Sequence, residues 1–224
     1  MGRLVPAAAL LLAASACVSA AGGEAALTGP APPTTLPPPP PRIVHEQAYS
    51  PFATVRGVTL VHPALRVERV GFHQANHDGA QQMETVAGAA SPLMMEDRER
   101  GTPGQTAADV VVDPVAEIRS PVTGRVLRGG GYILYCRIAD DYVVIEPDAH
   151  RGWEVKVLHI DGLQVRPGDR VTAGETVLAP RATQLPFESQ VDEFRTAEPA
   201  WPHVHIEVVD PSIPDRPNPG GGGC

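Results

Sequence analysis

Apolar and β-branched residues recur along this chain in short runs, most of them closed by glycine or proline. Val55 to Leu60 and Leu65 to Gly71 read as extended. Val110-Val111-Val112 is short and apolar, and Gly124 to Leu127 follows a Ser-Pro-Val-Thr-Gly turn. Tyr132 to Ile138 and Tyr142 to Glu146 flank Asp140-Asp141, a hairpin signal. Val155 to Ile160 alternates apolar with polar, the period of a half-buried strand. Leu163 to Val171, Thr176 to Ala179 and His203 to Val209 complete the set. No long stretch carries a 3.6-residue apolar period. The pattern predicts an all-β or nearly all-β sheet structure. Gln81 to Ala108 is polar and rich in Gly, Met and Glu, and reads as a long loop with room for a short helix.

The flanks have a different composition. Residues 1–17 carry one basic residue, Arg3, and then the apolar stretch Leu4 to Ala14. That is a secretory signal, too short to span a membrane. Its end, Ala14-Ser15-Ala16-Cys17, resembles a bacterial lipobox, which places diacylglycerol on Cys17. Residues 18–42 are rich in Ala, Gly and Pro, with five consecutive prolines at 37–41. They are expected to form a disordered, polyproline-type spacer. Residues 43–210 then form one domain, and the Pro/Gly-rich tail 211–224 is expected to be disordered. The protein is thus expected to be secreted, or held on the outer face of a bacterial membrane by its lipid. Net charge is −8, which argues against a nucleic-acid partner and against charge-driven binding to anionic lipid. Cys136 lies in an apolar run and reads as a small buried thiol; no disulfide framework is indicated.

The chemistry concentrates in three separated pieces. The last is Trp201-Pro202-His203-Val204-His205-Ile206-Glu207-Val208. On a strand, His203 and His205 share a face with Cβ atoms about 6–7 Å apart. That spacing suits one metal ligand beside one proton-handling or oxyanion-stabilising imidazole. It equally suits two surface histidines. The other pieces are Phe72-His73-Gln74-Ala75-Asn76-His77-Asp78-Gly79, and Leu158-His159-Ile160 followed by Pro167-Gly168-Asp169-Arg170-Val171.

In order and content these pieces resemble the M23 family, the LytM or lysostaphin-type zinc endopeptidases that cut peptide bonds in bacterial peptidoglycan. The family pattern is His-x-x-x-Asp, then a histidine ending a strand before a Gly-Asp-x-Val-x-x-Gly hairpin, then His-x-His. The resemblance implies an antiparallel groove of the M23 type with a lipoyl-like hairpin. It also implies a Zn2+ cofactor, with His73 and His205 as ligands and His159 and His203 as catalytic partners. Catalytic zinc takes three protein ligands and keeps a fourth position open. The departure falls at the second ligand. The family's Asp position holds His77, and Asp78 comes one residue later. Either a one-residue bulge aims Asp78 at the metal, or His77 ligates instead. The family's apolar run after that Asp is missing, and so is its compact connection to the next strand. A degenerate domain that only binds cell wall, or regulates other wall hydrolases, is the alternative.

Residues outside this set have plainer readings. His159, at a strand end, would by default bond a backbone carbonyl. Glu207 is expected to face solvent, opposite the histidines, and Asp169 to stabilise a turn. Ser120 to Val126 also resembles a biotinyl or lipoyl carrier hairpin, but the one lysine, Lys156, lies in an alternating strand. No Gly-x-Ser-x-Gly motif supports a serine nucleophile.

Overall fold

Alternation within the last strand sets the plan of the molecule. Val204, Ile206 and Val208 are fully buried on one face. His203, His205 and Glu207 occupy the other. The first set joins the hydrophobic core and the second forms the chemistry.

The computed structural model describes residues 38–216. The leader 1–17 with Cys17, nearly all of the spacer 18–42, and residues 217–224 of the tail lie outside the described residues. Strands of four or more residues are β1 (Pro51–Val55), β2 (Val58–Val61), β3 (Arg66–His73), β4 (Ala107–Val112), β5 (Gly124–Leu134), β6 (Ile138–Pro147), β7 (Glu154–Asp161) and β8 (His203–Val209). The main sheet runs β3-β4-β8-β7-β6-β5, with antiparallel pairing between each neighbour. The domain is mainly β, as the apolar pattern predicts. Strand β1 pairs with β2 on one side and with Glu84–Thr85 on the other in a separate small sheet. A single large core joins Phe52 and Leu60 of the small sheet to Phe72, Ile145, Val157 and Ile206 of the main one. Fully burying a side chain of this size stabilises the fold by about 1.5–3 kcal/mol.

Four local expectations change. Val55 to Leu60 is not one strand, because Arg56 and Gly57 both take positive φ, 44° and 91°, and turn it into the β1–β2 hairpin. The second hairpin turns at Tyr135–Arg137 and not at Asp140-Asp141. Tyr135 and Cys136 carry the positive φ there, at 49° and 57°. The two aspartates lie inside β6, where Asp141 accepts hydrogen bonds from the backbone N–H groups of Gly162 and Leu163. Cys136 is consequently exposed at the hairpin tip and not buried, and it is disulfide-bonded. Its partner lies outside the described residues. Leu163 to Val171 is mostly turn, with only Arg170–Val171 paired to β5. Asp169 caps that turn as expected, accepting from the Arg166 N–H at 2.8 Å.

The segment 81–108 contains no helix. Pro92–Met94 runs parallel to the edge of β3 instead. Met95 packs with Val111 and Val191, the last from the short 3-10 helix Gln190–Phe194, over the face that carries the histidines. Gly71 permits this approach: a Cβ there would stand 2.9 Å from Val191. In the tail, Arg216 bonds Asp78 and so ties residues 211–216 back to the turn after β3.

Candidate metal centre

Four adjacent strands bring the histidines together. Asp109 of β4 lies directly across from His205 of β8 on one side and Gly71 of β3 on the other. His73 is two residues beyond Gly71, so it shares that face. One ligand atom from each of His73, Asp109 and His205 lies within 4.8 Å of the other two. His73 Nε2 is 3.1 Å from Asp109 Oδ1, and His205 Nδ1 is 2.9 Å from the same oxygen. All three residues could hold a metal ion.

The hydrogen-bond pattern around His73 fits a cation. Its Nδ1 donates to the Gln74 carbonyl at 2.8 Å, which fixes the tautomer. In the neutral ring Nε2 is then a bare acceptor. That buried nitrogen makes no hydrogen bond, although a carboxylate oxygen stands close by. Two acceptors facing each other in a buried site are costly, and a metal ion between them removes the conflict. A backbone carbonyl behind a ligating histidine is the usual orienting partner. On the far side of His205, Glu207 Oε2 lies 3.9 Å from Nε2, an ion-pair distance and not a hydrogen bond.

Charge is strongly coupled here. Burial opposes the Asp109 carboxylate, but His73, His203 and His205 outweigh it and hold Asp109 well below the usual carboxylate range. Burial likewise pulls His205 down, and the Asp109 and Glu207 carboxylates raise it to about 9. Glu207 resists its own burial through His205 and Lys156 and falls to about 2. His203 responds in the opposite sense. Burial dominates, and its imidazole is lowered to about 4, which keeps it neutral.

His159 occupies a β-bulge. Leu158 pairs with Tyr142 and Ile160 with Asp141, so His159 has no opposite residue. Its φ is +63°, a left-handed conformation rare for a non-glycine residue. Such bulges re-aim side chains. The ring lies 5.1 Å from that of His203, edge-on. It bonds a carboxylate and not a backbone carbonyl: Nδ1 donates to Asp140 Oδ2 at 2.7 Å, leaving Nε2 as the basic nitrogen. Tyr132 and Thr183 also donate to Asp140, at 2.5 and 2.7 Å. Burial and the adjacent Asp140 carboxylate push the Tyr132 phenol upward, so it remains a donor.

These groups open into a cleft of about 230 Å3 lined by His73, Asp109, His203, His205, His159 and Tyr132, among others. Tyr132 also lines a neighbouring cavity of about 540 Å3 with Asp140 and Thr183.

Of the residues singled out in the sequence, His73, His205, His203 and His159 come together. Asp78 and His77 do not join them. β3 ends at His73, and the chain then turns away. His77 Nδ1 accepts the Gly79 N–H at 2.9 Å, and Gly79 is pinned by the Asp210 N–H bonding its carbonyl at 2.9 Å. Asp78 is engaged by Arg216 Nε at 2.7 Å. Asp109 stands where Asp78 was expected. Its sequence signal is a lone charge in Ala107-Ala108-Asp109-Val110-Val111-Val112, a run buried at every position. A charge in such a run needs a partner. Asp140 reads in the sequence only as a turn residue, and Glu207 does not face solvent as expected: at two residues from His205 it points the same way and is buried. No family model matches the chain, and neither does any curated protein or solved structure.

Proposed function

We propose that this chain is a zinc-dependent endopeptidase of the M23 type that hydrolyses peptide bonds in bacterial peptidoglycan. The observation that carries the reading is the convergence of His73, Asp109 and His205, with His203 and His159 beside them. Two imidazoles and a carboxylate are a donor set that zinc favours, with a fourth position left for water or substrate. Asp109 also supports the family resemblance. It is followed by the apolar run Val110 to Val112 that the pattern calls for and that is missing after Asp78. The departure then reduces to the long insertion between His73 and Asp109. The binding-only alternative rests on the slipped register at Asp78. A carboxylate at Asp109 favours the catalytic reading.

Zinc, when bound, acts as a Lewis acid toward the scissile carbonyl and the attacking water. The chain's own groups handle the proton and the developing charge. His159, held through Nδ1 by Asp140, presents Nε2 to take the water's proton and return it to the leaving amine. His203, kept neutral by burial, offers a ring N–H to the oxyanion. Tyr132, anchored on Asp140 at 2.5 Å, fixes the carboxylate that orients His159. A leader ending in a lipid-modified Cys17 would place this activity at its substrate.

The test is digestion of purified peptidoglycan stem peptides by the zinc-loaded protein, read as new amino termini. Cleavage is expected, abolished by EDTA, restored by zinc, and reduced about 10²–10⁴-fold in His203→Ala. Stem peptides and cross-bridges left intact by zinc-loaded protein would contradict the reading.

A further inference from the structure

The long insertion does more than separate His73 from Asp109. It carries Arg98 and Arg100 into the wall of the same cleft. Neither guanidinium has an ion-pair partner among the described residues, whereas Glu188, an acid on the same wall, is bound to Arg195 at 3.0 Å. Asp109, the other carboxylate lining the cleft, is committed to the metal ligands. The wall therefore offers two positive charges with no carboxylate at ion-pair distance; Asp109 and Glu207 act on Arg100 only from farther off.

One buried residue holds them there. Gln74 adjoins the ligand His73 and is 5% exposed. Its side-chain Oε1 accepts the backbone N–H groups of Arg98 at 2.9 Å and Arg100 at 3.3 Å. Its Nε2 donates to the Thr102 carbonyl at 2.7 Å. Its own carbonyl takes both His73 Nδ1, at 2.8 Å, and Arg100 Nη1, at 2.6 Å. The arginine loop is thus bolted to Gln74, whose carbonyl also orients the ring of His73. From the other side, Gln190 Nε2 donates to the Glu96 carbonyl at 3.0 Å and ties the loop to the 3-10 helix. Arginine presents a fixed fork of donors that matches a carboxylate, and the match strengthens inside a cleft.

We infer that Arg98 and Arg100 form a carboxylate-recognition subsite, so that the preferred substrate is a peptide bearing a free carboxylate close to the bond that is cut. The inference rests on the peptidase reading for the word substrate, but the subsite itself does not. The carboxylate could be a chain terminus or a side chain, and paired probes separate the two. One pair is penta-alanine with a free C-terminus and its carboxamide. The other is Ala-Ala-Glu-Ala-Ala-amide and its Gln counterpart. Each is offered to the zinc-loaded full chain, with hydrolysis and equilibrium binding measured in parallel.

At least one acidic probe is expected to bind and to be cleaved about tenfold better than its neutral twin, a ratio that one charge-assisted contact supplies. That ratio should fall toward one in Arg98→Gln, whose side chain makes no hydrogen bond within the described residues. Arg100→Gln should lower it too. Zinc content and melting temperature of both variants check that the fold and the centre persist. Acid-selective binding without hydrolysis would refute the peptidase reading and uphold the subsite. Equal affinity for acidic and neutral twins, no binding of any probe, or a preference that survives in Arg98→Gln would overturn the subsite.

Discussion

Asp109 illustrates what a single residue can and cannot reveal. A lone charge in a buried apolar run announces that it has a partner, but it does not say which. His73 and His205 are far away in sequence, and only the pairing of β3, β4 and β8 brings them to it. Asp140 is the parallel case beside His159. It reads as a turn residue, yet it is 5% exposed and accepts bonds from His159, Tyr132 and Thr183. Burial pushes its carboxyl up, but those donors outweigh it and the net shift is downward from 3.8. A depressed carboxyl stabilises the fold above its unfolded value and loses that contribution as pH falls through its folded value. The wild-type protein should therefore lose stability more steeply than Asp140→Asn on acidification below about pH 4. At pH 7 the variant should be less stable by about 1–3 kcal/mol. Chemical denaturation across that range checks both; parallel acid limbs would remove Asp140 from the account.

At the scale of elements, period-two alternation was legible and turn chemistry was not. His203, His205 and the intervening valine follow directly from the strand period. The β1–β2 turn uses Arg56-Gly57 and the β5–β6 turn uses Tyr135-Cys136, pairs with weak turn signatures, so neither turn is legible in the sequence. The bulge at His159 has no sequence signature either. It is a strained position, since an L-residue in the left-handed region costs roughly 1–2 kcal/mol relative to glycine. Removing the ring in two ways isolates that term. His159→Gly and His159→Ala both lose the bond to Asp140, but only glycine relaxes the backbone. The glycine variant should be about 1 kcal/mol more stable than the alanine variant, and both should lose peptidase activity. Equal unfolding midpoints for the two would show that the bulge is not strained.

Across the whole molecule, the mainly β architecture was legible because short apolar or alternating runs closed by Gly and Pro recur along the chain, as in Glu154–Asp161 and His203–Val209. The placement of the 81–108 insertion was not. It lacks a periodic pattern, and its role depends on one hydrogen-bonding hub at Gln74 and on packing of Met95 against Val191. Metal should tie this assembly together, because the ligands come from strands that are separated in sequence. Zinc at 100 times its dissociation constant is expected to stabilise the protein by about 2.7 kcal/mol, read as a rise in melting temperature that EDTA reverses. No rise would argue that the three side chains do not share an ion.

The most direct test of the central claim is the zinc content of two variants purified and reconstituted side by side. Asp109→Ala should lose stoichiometric zinc. Asp78→Ala, whose carboxylate is engaged by Arg216, should retain it. Zinc lost from Asp78→Ala and kept by Asp109→Ala would contradict the metal centre described by this fold.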